Sequence, residues 1–273
     1  MPEPLLTAAG LGHRHSDGPF LFRGLDLAVH SGSVLAVLGS NGIGKTTLLT
    51  CLAALKIPSE GLVTTKPGVR LSYVPQTHRA GLAYRVADIV LMGRAGHVPL
   101  LGWPGAKDRA IAKQALARVG AVHLVERAFH TLSGGERSLV LIARALAGEA
   151  QIMILDEPFS ALDLANQQAV LSLLASIVKE DDVAAIITTH QPQHALALDG
   201  EALVLDTMLG ATRGRASAIL DEALLSRVFR MPVARLPVEH NGRRSDVLAP
   251  IFSIENQALL PIKTETTKPQ AER

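Results

Sequence analysis

An α/β fold with a mostly parallel sheet is what this sequence predicts, and three observations predict it. Short apolar runs, Val34-Leu35-Ala36-Val37-Leu38 and Ile152-Met153-Ile154-Leu155 among them, alternate with segments of helical spacing. These runs are continuous, as strands covered on both faces are. Between residues 77 and 148 the pattern changes to mostly helical spacing with Gly- and Pro-rich joints, which marks an insertion.

Residues 5–27 read as two short strands about the turn Ser16-Asp17-Gly18-Pro19, an antiparallel β subdomain at the N-terminus. His30-Ser31-Gly32 turns into a strand over 33–38. A helix opens at Lys45 and is expected to reach the Ile57-Pro58 step, because proline disfavours helix in the residue before it. A strand over 71–74 is stopped by Pro75-Gln76. In the insertion, 86–93 and 108–119 have helical spacing (Ile111, Ala115 and Val119 share a face), joined by 95–105. A further helix covers the periodic run 139–146 and starts near Ser133 or Gly134. The α/β rhythm returns with a strand at 152–155, a helix over 166–179, a strand over 184–189, a short helix at 192–198 and a strand at 202–206. Residues 221–238 are expected to form a helix–turn segment. The reading is one domain over 1–262, with its core in 1–76 and 149–220, the insertion in 77–148 and an appendage in 221–262. Residues 263–273 form a polar tail that frays.

A chain of 273 residues that is 48% hydrophobic can fill a large core. With 27 basic against 25 acidic residues it has no basic field for nucleic acid. The single cysteine, Cys51, has no partner for an internal disulfide, so a reducing compartment and a plain core role are expected. Residues 1–12 lack a basic start followed by an apolar core, so no secretory leader is expected. Apolar runs stay below the roughly 18 residues that cross a bilayer. Any membrane role is therefore expected at the cytoplasmic face.

Directly after the run 34–38 comes Gly39-Ser40-Asn41-Gly42-Ile43-Gly44-Lys45-Thr46-Thr47, which reads G-x-x-x-x-G-K-T. That spacing makes a phosphate-binding loop. Its glycines let the backbone wrap closely, so successive N–H groups point inward as an anion nest. The helix that follows turns its positive end on the same anion. Lys45 reaches the β and γ phosphates, and the Thr46 hydroxyl takes a position on Mg²⁺. The strand at 152–155 ends in Asp156-Glu157, and ligands of a parallel sheet sit at such carboxyl ends. Asp156 suits a Mg²⁺-associated role and Glu157 a general base that polarises water. An acidic pair after a strand usually marks only a solvated strand end; the phosphate loop gives this one its meaning.

Leu132-Ser133-Gly134-Gly135-Glu136 is similar to the signature motif of ATP-binding cassette transporters. The chain resembles the nucleotide-binding subunit of that family. Gln76 falls where the family has its Q-loop glutamine, Ser160-Ala161-Leu162-Asp163 where it has the D-loop, and His190 where it has the switch histidine. Order and spacing agree from about residue 5 to residue 205. The resemblance implies a RecA-like P-loop NTPase core with an inserted α-helical signature subdomain, and ATP and Mg²⁺ as cofactors. It implies a homodimer closed head to tail, each ATP between one phosphate loop and the other copy's signature helix. Ser133 with the Gly134 and Gly135 amides, in a motif that includes Glu136, would meet the γ-phosphate of the opposite site. Gln76 would sense Mg²⁺ and the attacking water, His190 would contact the γ-phosphate, and Asp163 would couple the two sites. His15, or else His13, lies where the family stacks an aromatic ring on adenine, and imidazole stacks less strongly. Glu136 stands for a more usual Gln, and Phe159 for a frequent Thr. Neither removes a catalytic group, so an active ATPase is expected.

Asp88-Ile89-Val90-Leu91-Met92-Gly93-Arg94 and His97 resemble cassettes of importers for iron–siderophore, haem and cobalamin. Ser160-Ala161-Leu162-Asp163-Leu164-Ala165-Asn166-Gln167 and Thr188-Thr189-His190-Gln191-Pro192 lean towards molybdate and tungstate members of the same group. The expectation is an importer ATPase with two membrane permease subunits, a substrate-binding protein as indirect partner and no nucleic acid, at the cytoplasmic face of the inner membrane. An exporter, a soluble cassette acting on DNA or ribosomes, and an inactive regulatory cassette are the alternatives. Trp103 either belongs to the permease docking surface or anchors a loop. His190 and His194, four residues apart, are set against a metal pair by Pro192 between them.

Overall fold

The N-terminal stretch forms β1 (Leu6–Arg14) and β2 (Phe20–Val29), both longer than the sequence pattern indicates. The computed structural model describes residues 3–16, 18–76, 84–99, 101–160, 162–206, 210–240 and 242–252. Asp17 of the first turn, residues 77–83 of the expected insertion, Ala161 of the D-loop stretch and the polar tail lie outside them. β3 (Val34–Leu38) leads into α1 (Lys45–Leu52). This helix stops well before Ile57-Pro58. Ala54 adopts a left-handed φ of 55°, and Thr50 O accepts the N–H groups of Leu55 and Lys56 at 2.9 and 3.1 Å. A proline sets only the last place a helix can end. Leu55 and Ile57 find no core here, with 64% and 88% of their surface exposed.

An edge strand the sequence pattern does not reveal follows, β4 (Glu60–Thr65), then β5 (Leu71–Val74). Next come α2 (Val86–Leu91), a 3₁₀ turn at Met92–His97, α3 (Ala106–Arg118) and α4 (Gly134–Ala147). β6 (Ile152–Leu155), α5 (Leu164–Glu180), β7 (Ala184–Thr188), α6 (Pro192–Ala197) and β8 (Glu201–Asp206) restore the alternation. β9 (Gly210–Arg215) was not apparent from the pattern. After α7 (Ala216–Ile219) and α8 (Glu222–Phe229), the expected helix–turn segment is corrected: its second half belongs to a hairpin of β10 (Val233–His240) and β11 (Arg243–Pro250). Arg230, left-handed at φ 55°, ends α8, and the sequence pair Asn241-Gly242 is a hairpin signal.

The central sheet has six strands in the order β5-β6-β7-β3-β8-β9, parallel except for the β8–β9 pair. Its strands feed two main cores, one on each face, as a period of two requires, with a small third cluster at Val34, Val178 and Ala185. Leu35, Val37, Ile152, Ile154, Leu203 and Leu205 pack with β1, β2 and α1. Their neighbours Ala36, Leu38, Met153, Leu155, Ala202 and Val204 pack with α2, α3, α4, α5 and α8. That double covering is why the runs carry no polar alternation. β2-β1-β4 make a separate antiparallel sheet.

Candidate functional site

Four adjacent parallel strands end side by side, and each delivers one part of the site. Gly39 follows β3, Gln76 follows β5, Asp156-Glu157 follows β6, and Thr189-His190 follows β7. The crossover from β3 to its neighbours opens a crevice at this edge, where parallel sheets take ligands.

The loop conformation needs its glycines. Gly39 and Gly44 have φ of 149° and 108°, values that L side chains rarely adopt. A Cβ on Gly39 would lie 3.0 Å from the Leu205 carbonyl, and one on Gly44 would lie 3.0 Å from the Leu21 Cβ. Lys45 is buried, and its ammonium donates to the carbonyls of Gly39 and Ser40 at 3.0 and 3.2 Å. Burial lowers its pKa, while the charges of Glu157 and Asp156 hold it up. His15, Leu21, Asn41, Thr46, Gln76 and Glu157 are among the residues that line the cleft around it, about 470 Å³ in volume; Gly42, Gly44 and Thr47 also face it.

The two carboxylates are fixed differently. Asp156 is buried, its N–H donates to Val74 O at 2.9 Å, and the Thr188 hydroxyl donates to its Oδ1 at 2.6 Å. The same hydroxyl accepts the Glu157 N–H at 2.7 Å. Tyr73 adds a further bond to Asp156; burial first, then that charge and bond, push the Tyr73 pKa up to about 12. Glu157 takes a left-handed φ of 48°, a conformation that costs a non-glycine residue about 1 kcal/mol or more. The turn aims its carboxylate into the cleft. Glu157 Oε2 accepts from Gln76 Nε2 at 2.9 Å and lies 3.8 Å from His190 Nδ1, while Oε1 lies 3.9 Å from Lys45 Nζ. Gln76, Lys45, Glu157 and His190 are thus brought together.

Ser133, Gly135, Glu136 and Asp163 are not brought into this cleft. Ser133 caps α4 in a reciprocal box: its hydroxyl accepts the Glu136 N–H at 3.2 Å, and Glu136 Oε2 accepts the Ser133 N–H at 2.7 Å. Arg127 pairs with the same carboxylate at 2.9 Å. The Ser133 N–H foremost, with help from Arg127, holds Glu136 below the usual carboxylate range. A Cβ on Gly135 would come within 3.1 Å of the Asn166 side chain at the start of α5, which would have to give by a few tenths of an ångström. Asp163 is exposed and caps α5 by accepting the Asn166 N–H at 2.8 Å.

The family model for "ABC transporter" matches residues 22–160. The chain belongs to the ABC transporter ATP-binding family. This cassette is 40% identical over 231 residues to the molybdate import ATP-binding protein MolC of Haemophilus influenzae, covering 84% of this chain and 89% of that one. It is 36% identical over 265 residues to the hemin import ATP-binding protein HmuV of Nocardia farcinica, covering 91% and 90%. Among solved structures, a metal-chelate type ABC transporter in an inward-facing conformation superposes with a TM-score of 0.87 at 36% identity, covering 92% of this chain and 98% of that one. The cassette is accordingly an ATPase with a RecA-like core.

Sequence reasoning read Thr188 only as a mark of ancestry and passed over Tyr73, although both contact Asp156 in this cassette. It also read Arg94 and His97 as ancestry. Arg94 is buried and clasps the end of α4: it donates to Ala147 O at 2.8 Å, Glu149 at 2.9 Å and Asp108 at 3.1 Å. Burial opposes its charge, yet the bonds to Glu149 and Asp108 outweigh that and raise its pKa. His97 Nε2 lies 3.0 Å from Gly148 O. His190 is exposed, whereas His194 turns into the core.

Proposed function

We propose that this cassette powers an importer for a metal chelate or oxyanion, working as a homodimer that closes head to tail over two ATP molecules. The observation that carries the reading is the split of the machinery. Lys45, Gln76, Glu157 and His190 converge on one cleft, while Ser133, Gly135 and Glu136 at the capped start of α4 do not line it and only Gly134 reaches an adjoining cavity beside Gln76 and Glu157. A second copy would bring that helix end, with Ser133 and the Gly134 and Gly135 amides, onto the γ-phosphate. In this reading Asp163 couples the two sites, and His15 stacks on adenine.

The residues present fit Mg²⁺, a hard cation that takes oxygen ligands: Thr46 offers a hydroxyl beside the loop, Gln76 an amide oxygen and Asp156 a buried carboxylate. When bound, the ion would neutralise charge on the transferring phosphoryl group. Lys45 holds the β and γ phosphates. Glu157 takes a proton from water as its oxygen attacks the γ-phosphorus and the bond to ADP breaks. His190 and Gln76 keep Glu157 and the water aligned, and loss of the terminal anion then loosens the pair.

The division into core 1–76 and 149–220, helical insertion 77–148 and C-terminal appendage is part of this proposal. So are two permease subunits, a substrate-binding protein behind them and a place at the cytoplasmic face of the inner membrane. Among the described residues no helix is long and apolar enough to cross a membrane. Leu101 and Trp103, exposed to 96% and 91% beside an apolar groove that includes Leu91, Met92 and Val98, would face a permease. The relatives named for molybdate and hemin import support the cargo class.

Glu157→Gln tests the reading. ATP binding is expected to persist while turnover falls roughly 10²- to 10⁴-fold, and an ATP-bound dimer accumulates on a sizing column. Turnover near that of the unaltered chain would overturn the assignment.

A further inference from the structure

Behind the exposed His190 lies a second, buried imidazole that the reaction as described does not use. His194 is 4% exposed, its ring centroid 4.3 Å from that of Phe159. Both ring nitrogens are engaged. Nδ1 lies 2.9 Å from Thr189 Oγ1, and Nε2 lies 3.3 Å from Gln167 Oε1. Gln167 in turn donates from Nε2 to Leu162 O at 3.0 Å, in the turn that carries Asp163. At the other end, Thr189 Oγ1 accepts the Gln191 N–H at 3.1 Å, and the Thr189 N–H donates to Val37 O of β3 at 3.1 Å.

Chemistry fixes the directions from Leu162 back to the imidazole. A carbonyl only accepts, so the end of Gln167 that faces Leu162 is the NH₂ group and its oxygen faces His194. That oxygen requires a proton on Nε2; in the neutral ring Nδ1 then accepts from the Thr189 hydroxyl, which otherwise has Gln191 O within 3.4 Å. Burial and, second, the neighbouring His190 lower its pKa to about 4, which favours the neutral ring. In the neutral ring the Gln191 N–H, the Thr189 hydroxyl, His194 Nε2 and Gln167 Nε2 all donate in the direction from the His190 turn towards the Asp163 turn. Aligned hydrogen bonds polarise one another in such an arrangement.

We propose that Gln167 and His194 are positioning residues that hold the turn carrying Asp163 in register with the turn carrying His190, so that the state of one ATP site is felt at the catalytic edge of the other. The inference rests on the dimeric reading above, in which Asp163 faces the second site. An apolar ring would fill the same space against Phe159. What the polar version adds is a specified distance between two turns from different elements.

The test uses the purified full-length chain with Gln167→Met, His194→Phe and the double variant, each of which keeps volume and removes the bonds. Each single variant is expected to lower kcat for ATP hydrolysis about tenfold with KM within about twofold, and the double variant to lose no more than either single. Thermal midpoints are recorded alongside, and Gln167→Met, on the less buried α5 surface, carries the test if His194→Phe does not fold. Single variants with kcat within about twofold of the unaltered chain, losses confined to KM, or losses that multiply in the double variant would overturn the relay. Glu157→Gln serves as control. If its ATP-bound dimer accumulates on a sizing column while the relay variants keep their turnover, the relay falls and the dimeric reading stands; if no dimer accumulates, the dimeric reading itself falls.

Discussion

A single hydroxyl, that of Thr188, touches both acids of the catalytic edge, donating to Asp156 and accepting from the Glu157 N–H. Thr188→Val keeps the shape and removes both bonds. It leaves the Glu157 N–H without its partner in a turn already held at positive φ, so the carboxylate is expected to wander. ATP hydrolysis is expected to fall roughly 10- to 100-fold, measured as kcat, while ATP affinity changes little because Lys45 and the loop are untouched. The sequence exposed Lys45, Asp156 and Glu157 because a phosphate loop and a strand-end acid pair have fixed local spacing. Thr188 and Gln167 act through contacts between separate strands and helices, which local spacing does not encode.

The elements divide the same way. Strands buried on both faces, such as β6 and β7, stand out as continuous apolar runs. β4, β9 and the β10–β11 hairpin are half-exposed edges with little apolar contrast, and the pattern did not reveal them. The 3₁₀ turn at Met92–His97 was legible as a motif but not as a clasp. Arg94→Ala strips the Ala147 carbonyl of its side-chain donor and leaves Glu149 only its longer contacts to His97 at 3.5 Å and Arg70 at 4.0 Å. The loss is expected to be about 2 kcal/mol, below the range for a fully buried pair because Glu149 is half-exposed, and a denaturant titration would measure it. The bond to Arg94 first of all holds the Glu149 carboxyl below its ordinary pKa. A depressed carboxylate stabilises the fold above its unfolded pKa, and that support is lost as pH falls through the folded value. The gap between the variant and the unaltered chain should therefore narrow in acid, below the ordinary glutamate range.

At the scale of the whole molecule, the cleft of one chain contains Lys45 and the proposed base Glu157 but not Ser133, Gly135 or Glu136 of the helix end proposed to complete it. Ser133→Arg places bulk and positive charge at that end. Nucleotide binding to single chains is expected to stay within about twofold, while the ATP-dependent dimer and turnover are lost, as light scattering and an ATPase assay would register. A dimer that survives the change would count against the shared site. If the exposed groove beside Trp103 meets the proposed permease, substitutions there should spare ATP hydrolysis by the isolated chain and affect only the coupled assembly.

The position of β3 has a bearing on biosynthesis. It pairs on one side through Val34 with Ala185 and on the other through Leu35 with Glu201, so both neighbours leave the ribosome long after it does. Until then β3 lacks both of its sheet neighbours, and the glycine-rich turn that follows it is expected to hold nucleotide poorly. A truncation ending before residue 184 should bind no ATP, which delays any premature hydrolysis until the whole catalytic edge has been synthesised.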